Sequence, residues 1–152
     1  MSKALAAQNK KIADNIEKHG WHCLHIAPRE QSEEAFSYSI GFAQSFDAPE
    51  VLIFGLPSEK ARVLLSACAT VLRQGHTIIS DTEDSELLSG GYKVVFKMVR
   101  SEFFGEYLGT AQRYYQNKRF EAAVMFLPDA EHRFPWHPGY NYIPVDEALS
   151  IV

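Results

Sequence analysis

The sequence predicts an α+β fold: a single domain covering residues 1–152, with a mostly antiparallel sheet and about three helices packed on it. Helix-like and strand-like patterns alternate along the chain in the order helix, three strands, helix, two strands, helix, strand. Consecutive strands are joined by short loops, which favours antiparallel pairing. A chain of 152 residues is also long enough to bury a core of its own as one domain.

The first helix is predicted at about residues 3–19. Ile12 and Ile16 lie at helical spacing, as expected for residues that face a core. Ser2 is a typical N-cap, and Gly20 can adopt the left-handed conformation that ends a helix. The apolar stripe is narrow, so we expect this helix on the surface of the domain.

Three strands are predicted next. The stretch "WHCLHIA" alternates in the manner of a strand, and "FSYSIGF" places apolar residues on one face and serines with a glycine on the other. The stretch "VLIFGL" is a continuous apolar run, typical of a central strand that is covered on both sides. The intervening "AQSFDAPE" is interpreted as a loop.

The longest apolar helix is predicted after Pro57, with Ser58 as its N-cap and Gly75 at its end. The residues expected to form its buried stripe are Val63, Leu64, Cys68, Val71 and Leu72.

The remaining elements are shorter. Strands are predicted at "HTII", "YKVVFKMV" and "AAVMFLP", with an acidic loop after the first of them. Ser101 is a candidate cap for a third helix, whose predicted core face includes Phe104, Leu108, Ala111 and Tyr115.

Composition limits the classes of partner. The formal net charge is −4, so no attraction to nucleic acid or to an anionic membrane is expected. No apolar run is long enough to span a bilayer, and no secretory signal is evident. The two cysteines, Cys23 and Cys68, form no metal or redox motif and are expected in the core. A cytoplasmic location is predicted.

Familiar catalytic and cofactor motifs are absent from the sequence, which therefore identifies no cofactor. His22 and His25 would point to opposite faces of a strand. Asp129, His132 and His137 would converge on a metal only if their loop folds back on itself, and we predict no metal site.

A stiff aromatic loop at about residues 128–144 follows the last strand. Its prolines restrict the backbone, and Phe134 and Trp136 provide large apolar surfaces. Two roles remain open for this loop, and both can hold at once. The loop covers the core, or its aromatic side chains line a pocket together with Tyr38, Ser39 and Glu50.

The chain resembles a bacterial family known as domain of unknown function 4262, over about residues 12–147. The segments that carry the resemblance are "HGWHCLHI", "FSYSIGF", "APEVLIFGLPSEKARVLLSACATVLRQG" and "LPDAEHRFPW". Two positions depart mildly from the family pattern: Ser39 replaces the usual threonine, and Phe42 replaces the usual leucine. The resemblance implies a single bacterial cytoplasmic domain, and it supplies no mechanism.

Twelve residues match the motif positions of the family, and the resemblance assigns no catalytic role to them. They are His19, Gly20, Trp21, Tyr38, Gly41, Pro49, Glu50, Pro128, Asp129, Phe134, Pro135 and Trp136.

The sequence favours a binding or interaction module, because no catalytic motif is visible while a rigid aromatic loop and a polar strand face offer a recognition surface. The partner is expected to be another bacterial protein or a second copy of the chain. The candidate binding residues are Trp21, His22, Tyr38, Ser39, Glu50, Asp129, His132, Phe134, Trp136 and His137.

Two alternatives stay open. One is a small hydrolase or cofactor-using enzyme, in which Glu50 and Asp129 supply carboxylates and His22 or His137 acts as base. This alternative requires those side chains to meet in one cleft. The other is a structural homodimer that uses the "VLIFGL" edge or the 104–115 helix face.

Overall fold

The computed structural model describes residues 2–28, 30–31 and 33–152. Within this part of the chain there is a six-stranded sheet. Its strands are β1 (His22–Ile26), β2 (Phe36–Ile40), β3 (Glu50–Phe54), β4 (Glu83–Asp84), β5 (Val94–Met98) and β6 (Ala122–Phe126). The strand order is β1-β2-β3-β6-β5-β4, and only the β3–β6 pair among these is parallel. The predicted α+β class with a mostly antiparallel sheet is therefore confirmed.

The described residues form six α-helices, where about three were predicted. They are α1 (Lys3–His19), α2 (Phe42–Phe46), α3 (Ser58–Arg73), α4 (Phe104–Tyr107), α5 (Gly109–Tyr114) and α6 (Asp146–Ser150). Helices α2 and α6 are each only five residues long: α2 lies where a loop was expected, and α6 lies in the short tail after the predicted aromatic loop. The predicted third helix begins as a 3-10 turn at Ser101–Phe103 and is interrupted between α4 and α5, so Ser101 does not cap it by a side-chain hydrogen bond.

Helix α1 begins and ends as predicted. The Ser2 side chain accepts a hydrogen bond of 3.1 Å from the Leu5 backbone N–H. Gly20 ends the helix in the left-handed region, and its N–H donates to the Ile16 carbonyl. Ile12 and Ile16 are buried, while the rest of the helix is largely exposed. The expected surface helix is confirmed.

Helix α3 corrects two details of the prediction. Pro57 is its N-cap and Ser58 its first residue, without a side-chain cap. Val63, expected in the buried stripe, is 68% exposed. The stripe that packs on the sheet consists of Ala61, Leu65, Cys68, Ala69 and Leu72. Val63 is two residues away from both Ala61 and Leu65, so it lies on the side of the helix opposite this stripe.

The sheet has a hydrophobic cluster on each face. One face packs against α1, α4, α5 and α6, and the other packs against α2 and α3. Successive residues of β3 alternate between the two clusters, so this strand is covered on both sides as predicted. Strand β2 is also buried at every position, including Ser37 and Ser39. Its small polar face accommodates the closely packed α3 instead of facing a pocket.

The "HTII" stretch forms no strand in the structure, and the short β4 lies in the acidic segment that follows it. Cys68 is buried, as predicted, whereas Cys23 is only partly buried and packs against the edge of the core; both are free thiols. No helix among the described residues has the length and hydropathy needed to cross a bilayer.

Candidate functional site

A large cleft lies over the free edge of β1, between α1 and α3. Its volume is about 1270 Å³. Helices α1 and α3 pack on opposite faces of the sheet, so they form two walls on either side of the edge strand. The fold therefore creates an open cleft with a strand at its floor.

Positive charge dominates the walls of this cleft. Lys11 and Lys18 come from α1, while Arg62 and Arg73 come from α3. None of the described residues that line the cleft is an aspartate or a glutamate. This concentration of cations contrasts with the formal net charge of −4 for the whole chain. We name this site the basic cleft.

Two of these cations, Lys11 and Arg62, act on the side chains at the floor of the cleft. Burial lowers the pKa of His22, and the charges of Lys11 and Arg62 lower it further. Burial raises the pKa of the Cys23 thiol, while Arg62 acts in the opposite direction. Lys11 and Arg62 thus act on the same ring from the two opposite walls. The His22 ring is held by Asn15, with 2.9 Å between Nδ1 and Asn15 Nδ2.

Arg73 differs from the other cations because it is already fixed. Its guanidinium donates to the His19 carbonyl at 2.9 Å and lies 5.3 Å from the centre of the Phe46 ring. Lys11, Lys18 and Arg62 are exposed and have no hydrogen-bonded or ion-paired partner among the described residues. Their charges are therefore available to a ligand.

Glu50 occupies a different environment, the fully buried start of β3. Its carboxylate accepts hydrogen bonds from the Ser39 hydroxyl at 2.8 Å and from the Tyr115 hydroxyl. The backbone N–H groups of Gly41, Phe42 and Ala43 donate to the same two oxygens. Burial raises the pKa of Glu50, and these donors oppose that effect.

This network makes Glu50 a structural group that holds the β2–α2 turn. Gly41 in that turn has a φ of 120°, and a Cβ there would lie 2.6 Å from the Gly20 carbonyl oxygen. Gly41 therefore packs directly against the backbone that enters β1, at the rim of the basic cleft. Tyr38 and Ser39 are also buried, so they line no pocket with the aromatic loop. That part of the prediction is wrong.

Asp129 holds the aromatic loop together by accepting hydrogen bonds from three of its residues. Its Oδ1 atom accepts from the backbone N–H groups of Glu131 and Arg133, at 2.9 and 2.8 Å. Its Oδ2 atom accepts from Arg133 Nε at 2.9 Å and from the Asn141 N–H at 3.0 Å. Burial acts to raise the pKa of Asp129, but the donors outweigh it and lower the pKa to about 2.

Of the two roles considered for this loop, the structure supports the first, in which its aromatic side chains cover the core. Phe134 is buried in the cluster that faces α1 and α6. Trp136 is 39% exposed and stacks on Phe134, with 5.2 Å between ring centres. Lys97 Nζ lies 4.6 Å from the centre of the Trp136 ring.

The histidines have local partners. His137 Nδ1 accepts from the Phe134 N–H at 2.9 Å, and His132 stacks on Tyr92 with 4.3 Å between ring centres. His25 Nδ1 lies 2.7 Å from the Ser37 hydroxyl, whereas His22 points towards α1. No group of three or more potential metal-binding side chains is found among the described residues.

The carboxylates proposed for an enzyme do not share a cleft. Strands β3 and β6 run parallel with Glu50 opposite Ala122, and Asp129 follows the far end of β6. Glu50 and Asp129 are therefore at opposite ends of the sheet. The version of the enzyme hypothesis that pairs them is wrong.

The two surfaces named for a homodimer are also unavailable. Strand β3 lies between β2 and β6, so it has no free edge. In the 104–115 segment, Tyr107, Leu108 and Ala111 are buried in the core.

Of the ten candidate residues, only Trp21 and His22 line the basic cleft. The four cations were not predicted as site residues. A signal existed, because Lys11 and Lys18 are seven residues apart and therefore share one face of α1. Without the strand order, nothing indicated that Arg62 and Arg73 would lie across from them.

Replacing Asp129 by asparagine tests its role in closing the loop. A carboxylate whose pKa is lowered on folding contributes stability above its unfolded pKa of about 3.9. That contribution is lost as the pH falls from about 4 towards 2. We expect Asp129→Asn to be less stable than wild type at pH 7 and to lack this part of the pH dependence, measured by urea unfolding.

The matched control is Asp47→Asn, which changes an exposed aspartate outside the network. Its unfolding should keep the wild-type pH dependence between about pH 4 and 2. An Asp129→Asn profile that runs parallel to wild type through this range would contradict the assigned role.

Comparison with known proteins gives one match. A family model described as "Domain of unknown function (DUF4262)" matches residues 15–141. No curated protein and no solved structure matches the chain.

Proposed function

We propose, from the premise that the chain belongs to the DUF4262 family, that it is a binding module whose basic cleft holds an anionic ligand. The observation that carries the proposal is the set of four cations on the walls, with no carboxylate among the described lining residues. Several positive charges gathered in one cleft create a local positive potential that attracts an anion more strongly than the same charges spread over a surface.

The chemistry of the floor favours binding over catalysis. The raised pKa of Cys23 keeps it as a thiol, which is a poor nucleophile. The lowered pKa of His22 keeps its ring neutral, so the positive charge comes from the lysines and arginines. A volume of about 1270 Å³ exceeds what one small anion fills, which favours a ligand with several charges.

The proposal retains the sequence-based expectations of a bacterial, cytoplasmic module with a protein partner. The aromatic loop then supports the domain, because Phe134 packs in the core and no described residue of the loop lines the basic cleft. This assignment moves the proposed binding surface from the loop to the edge of β1.

The first experiment uses tripolyphosphate, a small probe with several negative charges. A ligand that binds only the folded state raises the melting temperature as its concentration increases. We expect tripolyphosphate to stabilise the wild type and to stabilise Lys11→Ala/Lys18→Ala much less. Loss of these charges should weaken binding about tenfold, or about 1.4 kcal/mol.

The control is Lys93→Ala/Lys118→Ala, which removes two exposed cations outside the basic cleft and changes the net charge equally. It should respond to tripolyphosphate as the wild type does. Equal stabilisation of all three proteins, or no stabilisation of the wild type, would contradict an anion site in this cleft.

A further inference from the structure

We infer that the ligand of the basic cleft is an acidic peptide segment, which binds in an extended conformation as an added strand on the free edge of β1. This inference rests on the proposed function and names the class of its partner. It draws on three features of the cleft: an open strand edge, its backbone orientation, and cations on both sides.

The register of the sheet determines which backbone groups of β2 face β1. The Gly55 N–H donates to the Ala35 carbonyl at 2.8 Å, so the backbone of Ala35 is directed towards β3. Direction alternates along an antiparallel strand. The N–H and C=O groups of Phe36, Tyr38 and Ile40 are consequently directed towards β1.

The same register assigns the groups of β1. His22, Leu24 and Ile26 lie opposite those three residues of β2 and pair with them. Cys23 and His25 then direct their backbone N–H and C=O groups away from the sheet. No hydrogen bond to these outward groups is found among the described residues. Cys23 lines the basic cleft, so unpaired edge groups are present at its floor, and His25 continues the same edge beyond the cleft lining.

Such an edge is a template for another strand. A strand added there lies about 4.8 Å from β1 and alternates its side chains between the two faces of the sheet. One face carries Lys11 and Lys18, and the other carries Arg62 and Arg73. Successive acidic side chains of an added peptide would therefore meet cations on alternate walls.

A small anion uses these features less completely. It contacts the cations but leaves the outward N–H and C=O groups of Cys23 without partners. A peptide backbone supplies both a donor and an acceptor for them. The five residues of β1 offer about 17 Å of edge, enough for a segment of about five residues. The unpaired backbone donors and acceptors of β1, together with cations on both walls, therefore favour an acidic peptide as the ligand.

The test uses capped hexaglutamate, with tripolyphosphate, capped hexalysine and a thymidine octanucleotide as comparison ligands. We expect hexaglutamate to bind, to compete with tripolyphosphate, and to slow hydrogen exchange of the Cys23 and His25 amides at least tenfold. Tripolyphosphate should bind without protecting these amides, because it forms no strand pairing. Hexalysine should not bind.

The outcomes separate this inference from the proposed function. If tripolyphosphate binds and hexaglutamate does not, the peptide inference is wrong and the anion site stands. Binding of hexaglutamate without protection of the two amides would overturn strand addition. Tighter binding of the octanucleotide would overturn a peptide as partner. If neither tripolyphosphate nor hexaglutamate binds, both proposals fail.

Discussion

Replacing Glu50 by alanine is expected to destabilise the protein by about 3 to 5 kcal/mol. The substitution removes the acceptor for two hydroxyl groups and three backbone N–H groups. Leaving several buried donors unpaired costs far more than losing one exposed hydrogen bond. Such a loss is a large fraction of the total stability of a domain. Urea unfolding followed by circular dichroism measures it.

Tyr115→Phe is the graded control. It removes one of the five donors and leaves the carboxylate paired with the others, so we expect a loss of about 1 to 2 kcal/mol. If Glu50→Ala fails to fold, the loss in Tyr115→Phe still tests the network. A Glu50→Ala protein within 1 kcal/mol of the wild type would contradict the structural role assigned to this carboxylate.

The sequence predicted the elements whose patterns are local. Helix α1 has a cap at each end and a repeating apolar stripe, and the structure confirms all three. The strands β1, β2 and β3 were recognised for the same reason. The short helix α2 escaped prediction because its first turn is stabilised by Glu50, which follows it in sequence and reaches back from the next strand. No local pattern encodes that contact.

Burial was harder to predict than secondary structure. The serines of β2 looked like a polar face, yet they are buried because α3 packs closely on them. Val63 looked like part of a core stripe, yet it is exposed, because the face of α3 that packs on the sheet is the one that carries Ala61 and Leu65. Both errors come from a contact between distant segments, which periodicity within either segment does not determine.

The candidate site depended even more on topology. Trp21 and His22 were singled out by sequence and do line the basic cleft. Its character, however, comes from cations on two helices on opposite faces of the sheet. Placing β1 at the edge, with both helices beside it, required the strand order. The mild negative net charge gave no indication of a local concentration of positive charge.

Reversing the charge of Arg62 is expected to have the largest effect on ligand binding. Arg62 is exposed, has no described partner and acts electrostatically on both His22 and Cys23 at the floor. Arg62→Glu replaces attraction by repulsion towards any anion there. We expect the affinity for tripolyphosphate to fall at least thirtyfold, or about 2 kcal/mol. The pKa of His22 should rise at the same time, because the positive charge of Arg62 lowers that pKa in the wild type.

The matched control is Arg119→Glu, which reverses an exposed charge outside the basic cleft. Both variants should keep the unfolding free energy of the wild type, since neither arginine is buried. The measurement that tests the central claim most directly is calorimetric titration of tripolyphosphate into wild type, Arg62→Glu and Arg119→Glu at one ionic strength. The account predicts saturable binding to the wild type and Arg119→Glu, with loss in Arg62→Glu. Equal affinity in all three proteins, or none in the wild type, would contradict it.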